Sequence, residues 1–213
     1  MTRRPFHSLV AALALAAPMA QAQSTQTITV AGGCFWCVEA DFEGVEGVIE
    51  AVSGFAGGTT ENPTYKEVTG GGTGHYEAVE ITYDPSKVEA RQLYDLFFRS
   101  IDPTDAEGQF CDRGPSYRTA IFADADDRAA AEAARQAAQA ELGQEIVTPI
   151  LDDAPFYPAD AYHQDYYKSD ERLAVSSVGV FVPKSEAYKR YRSGCGRDAR
   201  IVQLWGEDAP FVK

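Results

Sequence analysis

Positive charge is scarce in this chain. Nineteen Lys and Arg stand against 32 Asp and Glu, a formal net charge of −13. So acidic a surface argues against nucleic acid or an anionic membrane as partner, since both call for cationic clusters. Its plain consequence is solubility. Phosphate-binding signatures are missing too. No Gly-Lys-Ser/Thr follows the glycine-rich run at 70–74, and no dinucleotide fingerprint occurs. Histidine is rare, with three in all, and no second close pair of ligands accompanies Cys34 and Cys37. Cys111 and Cys195 stand singly with no His at ligand spacing, which argues against zinc. Internal repeats, low-complexity tracts and linkers are absent, so 213 residues, 45% hydrophobic, read as one domain.

The first 22 residues differ from the rest. Arg3 and Arg4 precede an apolar Ala- and Leu-rich run from Ser8 to Ala20, and Ala20-Gln21-Ala22 offers small residues for cleavage. This predicts a secretory signal peptide over 1–22, with a run too short to span a bilayer comfortably. No cysteine follows the cut, which argues against a lipoprotein. Residues 23–26 form a short leader, 27–192 the folded domain, and 193–213 a glycine-containing tail that carries Cys195. All four cysteines fall in the exported part. There they could form two structural disulfides, but a chain of this length can bury a core without staples.

What the chain does contain is a dense stretch at Gly32-Gly33-Cys34-Phe35-Trp36-Cys37. The run Thr27–Ala31 before it alternates like a strand, and Val38–Phe42 after it has apolar residues at helical spacing. Cys34 is therefore predicted at a strand end and helix start. The free N–H groups and dipole of that terminus favour an anion, and so favour the thiolate, the reactive form of cysteine. A CxxC in this place is more often redox-active than structural.

Further strands are predicted at 48–52, 78–83, 117–122 and 146–151, the last an edge strand because of Pro149. Helices are predicted at 87–101, 125–142, 162–167 and 185–192, with a short irregular or helical piece at 64–69. Loops fill 54–63 and 102–116. The alternation gives a single-domain α/β (α+β) fold.

A nucleophilic Cys34 needs an acid for the leaving atom and groups to hold a substrate. Glu77, Asp112 and Tyr117 are polar residues among apolar or glycine-rich neighbours. If Glu77 faces a pocket, burial raises its pKa and makes it a proton donor. If it does not, it is an ordinary solvated carboxylate at a strand end. His75 and His163 raise a Cys–His pair as an alternative, although His163 with Asp160 and Asp165 reads more simply as a hydrogen-bonded helix surface.

Five blocks then occur together and in order: Gly-Cys-Phe-Trp at 33–36, Asn-Pro-Thr-Tyr-Lys-Glu-Val at 62–68, Thr-Gly-His-Tyr-Glu-Ala-Val at 73–79, Asp-Arg-Gly-Pro-Ser-Tyr-Arg at 112–118 and Tyr-His-Gln-Asp-Tyr at 162–166. This set resembles the A-type peptide methionine sulfoxide reductases over about residues 27–168. The resemblance implies a mixed central sheet flanked by helices, related to ferredoxin-like α/β sandwiches. It implies reduction of the S epimer of methionine sulfoxide, free or in proteins. Cys34 matches the nucleophile, Phe35 and Trp36 the apolar wall for the S-methyl group, and Glu77 the proton donor. Tyr65 and Tyr117 match the hydroxyls that hold the oxygen, and Asp112 a further polar residue of the site. Repair would leave Cys34 as a sulfenic acid, which a second cysteine condenses to a disulfide for a thioredoxin-like partner to reduce. No metal, flavin or nicotinamide is implied, and a monomer is expected.

Three departures stand out. Cys37 sits where many relatives have Gly and draw the resolving cysteine from a glycine-rich tail; here Cys37 and Cys195 are both candidates. Cβ atoms at i,i+3 lie about 5–6 Å apart and a disulfide wants about 3.8 Å, so Cys37 ranks first, ahead of Cys195 or a relay through it. Cys111 precedes Asp112 where relatives often have Asn, and is expected to be a buried spectator, with a third redox thiol as the alternative. Pro115-Ser116 replaces a frequent Thr-Gln while Tyr117 keeps its place. Export suggests the periplasm rather than full secretion if the host is a diderm bacterium, because reductant must be delivered. Two rivals remain: a general thiol–disulfide oxidoreductase using Cys34 and Cys37, in which Glu77, Tyr65 and Tyr117 would be idle, and a disulfide-stapled extracellular binding module.

Overall fold

The computed structural model describes residues 24–176 and 179–212. The expected signal peptide at 1–22 lies outside them, as does Gln23 of the leader. Among the described residues no helix is long and apolar enough to cross a membrane.

Six strands make the central sheet: β1 (Gln26–Gly32), β2 (Val48–Ala56), β3 (Tyr76–Tyr83), β6 (Thr119–Ala123), β7 (Ile150–Asp152) and β8 (Tyr157–Pro158), in the order β7-β6-β1-β3-β2-β8. All neighbours are antiparallel except β6 and β7, so the sheet is mixed, and β7, which follows Pro149, lies at its edge. β1 and β3 occupy the centre because their residues are buried on both faces. Ile28, Val30, Val79, Ile81 and Tyr83 face one layer of helices. That layer is α1 (Phe35–Phe42), α3 (Ala90–Phe98) and α4 (Arg128–Leu142), which contribute Phe35, Val38 and Phe42, Leu93, Phe97 and Phe98, and the alanine stripe Ala131, Ala134 and Ala138. Small residues line the opposite face of the sheet: Ala31, Ala56, Ala78 and Ala120 pack with Phe122.

Several short elements decorate this frame. They are α2 (Tyr65–Gly70), the ribbon of β4 (Gly108–Gln109) and β5 (Asp112–Arg113), the hairpin of β9 (Arg172–Ser176) and β10 (Gly179–Pro183), α5 (Lys184–Gly194) and α6 (Arg197–Trp205). Three differ from the expectations. Tyr162–Tyr167 is a run of turns rather than a helix, because Asp165 takes a left-handed φ of 55°. Tyr117 ends a 3-10 turn (Pro115–Tyr117) rather than opening a strand, following Gly114 at φ 116°. The 193–213 segment is not loose: α6 docks through a buried Arg197, whose guanidinium donates to the carbonyls of Ser100 (2.8 Å) and Gly32 (3.3 Å). β9, β10 and α6 were not anticipated.

Candidate active site

The turn between β1 and α1 sets the geometry. Gly33 has a φ of 82°, open to glycine at little cost, and a Cβ there would lie 2.5 Å from Cβ of Gln109. Cys34 follows as the N-cap residue of α1, with Cys37 N–H donating to its carbonyl at 3.0 Å. Arg197 braces the same turn from below through the Gly32 carbonyl. Gly33→Ala should therefore destabilise the fold by about 2–4 kcal/mol, from a left-handed alanine and an overpacked contact. Denaturant unfolding measures it, and a change within 0.5 kcal/mol (about the scatter of neutral surface substitutions) would mean the turn is not constrained this way.

Around Cys34 is a cleft of about 60 Å³ lined by Cys34, Phe35, Trp36, Tyr65, Glu77, Asp112, Tyr117 and Tyr191. Every residue expected at the site except the two resolving candidates is among them. Topology explains the convergence. The antiparallel register of β1 with β3, continued by two residues, brings Gly32 level with Glu77. Alternation puts Glu77 on the same face as Val79, Ile81 and Tyr83, the helix-covered face. A carboxyl thus ends an apolar row and is 1% exposed. Its Oε2 accepts the N–H of Phe35 at 3.1 Å, while Oε1 is buried and makes no hydrogen bond to the described residues. Burial pushes its pKa to about 8 against the pull of the Phe35 N–H, and the Asp112 charge adds to the rise.

Tyr65 is the first residue of α2, and its helix start is fixed by a capping box. Thr64 N–H and hydroxyl donate to Glu67 Oε2 at 2.8 and 2.7 Å, and Glu67 N–H returns to the Thr64 hydroxyl at 3.4 Å. Tyr65 and Tyr117 both line the cleft beside Glu77. Burial raises the pKa of both, so both stay protonated donors.

An aromatic wall surrounds Trp36. Tyr166 stacks on the indole with centroids 3.8 Å apart and planes 10° apart; His163 lies 5.7 Å from it and 4.4 Å from the Tyr65 ring. Burial lowers the His163 pKa to about 4, so it is a neutral packing ring here rather than a charged partner for Cys34. The turns that present it are pinned to the frame. Glu39 of α1 accepts the N–H of Asp165 at 2.5 Å, and the Gln164 amide bonds the backbone of Ser53 in both directions, at 3.0 and 2.8 Å. His75, the other histidine considered, is structural: it bonds Gly58 N–H and the Thr60 carbonyl. Tyr191 and Tyr166 went unnoticed as site residues. The visible signal for Tyr191 was its position four before Cys195, one helical turn away.

A family model described as peptide methionine sulfoxide reductase matches residues 26–194. The chain belongs to this family. It is 45% identical over 202 residues to the peptide methionine sulfoxide reductase MsrA 2 of Caulobacter vibrioides, covering 94% of this chain and 96% of that protein. It is 45% identical over 188 residues to MsrA of Bacillus subtilis, covering 86% and 98%. Among solved structures it is similar to the reduced form of Mxr1 from Saccharomyces cerevisiae, with 28% identity, a TM-score of 0.65, and 76% of this chain and 94% of that one covered. Methionine sulfoxide reductase A of Corynebacterium diphtheriae gives 32% identity, a TM-score of 0.61, and 76% and 84%.

The cysteines of this reductase fall into two pairs. Cys34 and Cys37 are free and buried, and lie in the same apolar cluster. Burial pushes the Cys34 thiol well above its usual range, with Cys37, Glu77 and Asp112 adding to the rise. Burial in this pocket thus opposes the help that the free N–H groups of the helix start lend a thiolate. The thiol pulled down is Cys37, first through Cys34 and then, against its own burial, by Arg197 and Arg192. Cys111 is not a buried spectator. It is exposed and joined to Cys195 in a disulfide across 84 residues, with Cα atoms 4.9 Å apart. That pairing forms because α5 runs back to the β4–β5 ribbon, a proximity that spacing alone does not encode.

Proposed function

We propose that this reductase acts on the S epimer of methionine sulfoxide, free or in proteins, with Cys34 as nucleophile and Glu77 as acid. The substrate sulfur meets Cys34 while its S-methyl group rests on Phe35 and Trp36. The oxygen is held by the Tyr65 and Tyr117 hydroxyls and takes the Glu77 proton. The Cys34 proton restores the Glu77 carboxyl, Cys34 sulfur bonds the substrate sulfur as the S–O bond breaks, and the released hydroxyl then attacks Cys34 sulfur, breaking the new S–S bond. Methionine leaves with the electron pair, and Cys34 becomes a sulfenic acid. The Cys37 thiol then displaces water to give a Cys34–Cys37 disulfide, which a thioredoxin-like dithiol reduces. Burial keeps Glu77 protonated, and the charge of Asp112 adds to that effect.

The observation that carries this reading is Glu77: a buried carboxyl, protonated at neutral pH, with one oxygen unengaged in the cleft that holds Cys34. A general thiol–disulfide exchanger has no use for it. Cys37 is favoured as the resolving residue because it is free and lies in the same apolar cluster as Cys34, whereas Cys195 is bonded to Cys111. We further read the protein as exported through cleavage of residues 1–22, as periplasmic in a diderm host, and as a monomer that uses no cofactor. A second reading routes electrons from thioredoxin through Cys111–Cys195, favoured by the exposure of Cys111.

The test is stoichiometry. Without reductant, Cys37→Ser should release about one methionine per enzyme from the S epimer and none from the R epimer, and should then stop even with thioredoxin present. Continued turnover in that variant would take the resolving role from Cys37. Absence of methionine release from the unaltered enzyme would sink the sulfoxide reading itself.

A further inference from the structure

Tyr191 has no task in this scheme, yet it lines the cleft with Cys34. Its ring meets the Trp36 indole edge-on, with centroids 6.3 Å apart and planes at 83°. Tyr166 stacks flat against the same indole. The hydroxyl of Tyr191 donates to Oδ2 of Asp112. A cleft of about 60 Å³ has room beside Cys34 for only a small group, and Tyr191 is one of the side chains that set that limit.

Two ties join this turn of α5 to the β4–β5 ribbon, side by side, while the neighbouring Arg192 anchors it separately to Asp41 of α1 at 2.8 Å. Cys111 immediately precedes Asp112. Cys195 caps the helix that carries Tyr191, and its N–H donates to the Tyr191 carbonyl at 2.9 Å. The disulfide and the Tyr191–Asp112 hydrogen bond therefore join the same two segments. The two sulfurs and an Asp112 oxygen lie within 4.8 Å of one another. The closed disulfide ties the end of α5 to the ribbon on the side where Tyr191 meets Asp112. A bridge over 84 residues is also of the long-loop kind that most restricts the unfolded chain.

We propose that Tyr191 is a specificity-determining wall of the substrate cleft that touches the S-methyl group opposite Phe35, and that the Cys111–Cys195 disulfide is a standing clamp for it, not consumed in turnover. This rests on the reading of the cleft as a sulfoxide site. A wall at this place rejects larger S-alkyl groups by bulk. The clamp acts on Tyr191 by position, so its loss affects binding before chemistry.

The experiment uses full-length enzyme with thioredoxin and compares methionine S-sulfoxide with its S-ethyl homologue. Tyr191→Ala should raise KM for the methyl substrate about tenfold and erode the methyl-over-ethyl preference by a similar factor, the scale of one methylene in an apolar pocket. Tyr191→Phe keeps the ring and should keep the preference. If Tyr191→Ala melts below the assay temperature, Tyr191→Leu carries the same comparison. The double variant Cys111→Ala/Cys195→Ala should raise KM about threefold or more with kcat within about twofold, a split expected of lost uniform binding. An unchanged preference in Tyr191→Ala overturns the wall, and an unchanged KM in the double variant overturns the clamp. Lost thioredoxin turnover in the double variant, with one methionine per enzyme still released, would make the bridge a turnover disulfide. Absence of methionine release by unaltered enzyme would instead remove the sulfoxide reading beneath both.

Discussion

Glu77→Gln is expected to slow methionine release in a single turnover by about 10²–10⁴-fold, the usual contribution of a positioned general acid. The substitution preserves shape, and an amide oxygen can still accept the Phe35 N–H, which reaches Glu77 Oε2 at 3.1 Å in the unaltered protein. What it removes is a proton that can be given up. Sulfoxide sulfur becomes electrophilic only as its oxygen is protonated, and the Tyr65 and Tyr117 hydroxyls, both raised by burial, hold their protons too tightly to replace it. With Glu77 at about 8, its acid form is present below that pH and lost as pH rises through it. The single-turnover rate should fall correspondingly on the alkaline side, and that fall should be missing in Glu77→Gln. An unchanged rate in the variant would remove Glu77 from the acid role.

Stability separates this loss from unfolding. Glu77 titrates near 4.5 in the unfolded chain and at about 8 in the folded one, so the folded state holds the proton more tightly. Stability linked to this group is full below 4.5 and falls as pH rises toward 8. At pH 7 the cost is on the order of 3 kcal/mol, and glutamine does not incur it. Glu77→Gln should therefore unfold no earlier than the unaltered protein at neutral pH, by thermal melting, while its chemistry is lost.

Local patterns carried much of this structure into the sequence. Alternation in Thr27–Ala31 and Ala78–Tyr83 marked the two central strands, and two glycines before Cys34 marked the turn. Glu77 stood out because a carboxyl at the end of an apolar row is unusual, but its burial depended on a register that no local window contains. Long-range partners were illegible for the same reason. Nothing near Cys111 points to a residue 84 positions on, and nothing in the amphipathic stretch Arg197–Trp205 says that its first arginine is buried beneath the Cys34 turn. The turns at 162–167 misled because their aromatic spacing imitates a helix, while Asp165 breaks the backbone. In the β9–β10 hairpin Leu173 and Val182 are buried but Val175, Val180 and Phe181 are exposed, so the hydrophobic face that would announce a strand pair is diluted.

Cys34→Ser should abolish reduction of methionine S-sulfoxide altogether, both in a single turnover and with reductant. The argument is one of electrons as much as of nucleophilicity. The substrate sulfur must gain an electron pair and shed its oxygen, and the attacking atom must lose that pair and accept the oxygen. Sulfur does this reversibly as a sulfenic acid, whereas a serine hydroxyl has no corresponding oxidised state. Cys37 cannot substitute, although its pKa is the lower of the two. It is 2% exposed and packs within the cluster of Ala40, Leu173 and Tyr188, and it is absent from the residues lining the cleft. Cys34 is the only free thiol that lines the cleft among the described residues. Mass spectrometry after exposure to substrate without reductant should find a Cys34–Cys37 disulfide in the unaltered enzyme and no change in Cys34→Ser. Methionine formed by that variant would sink the assignment of Cys34, and would return the chemistry to a pair of equal thiols that the cleft does not provide.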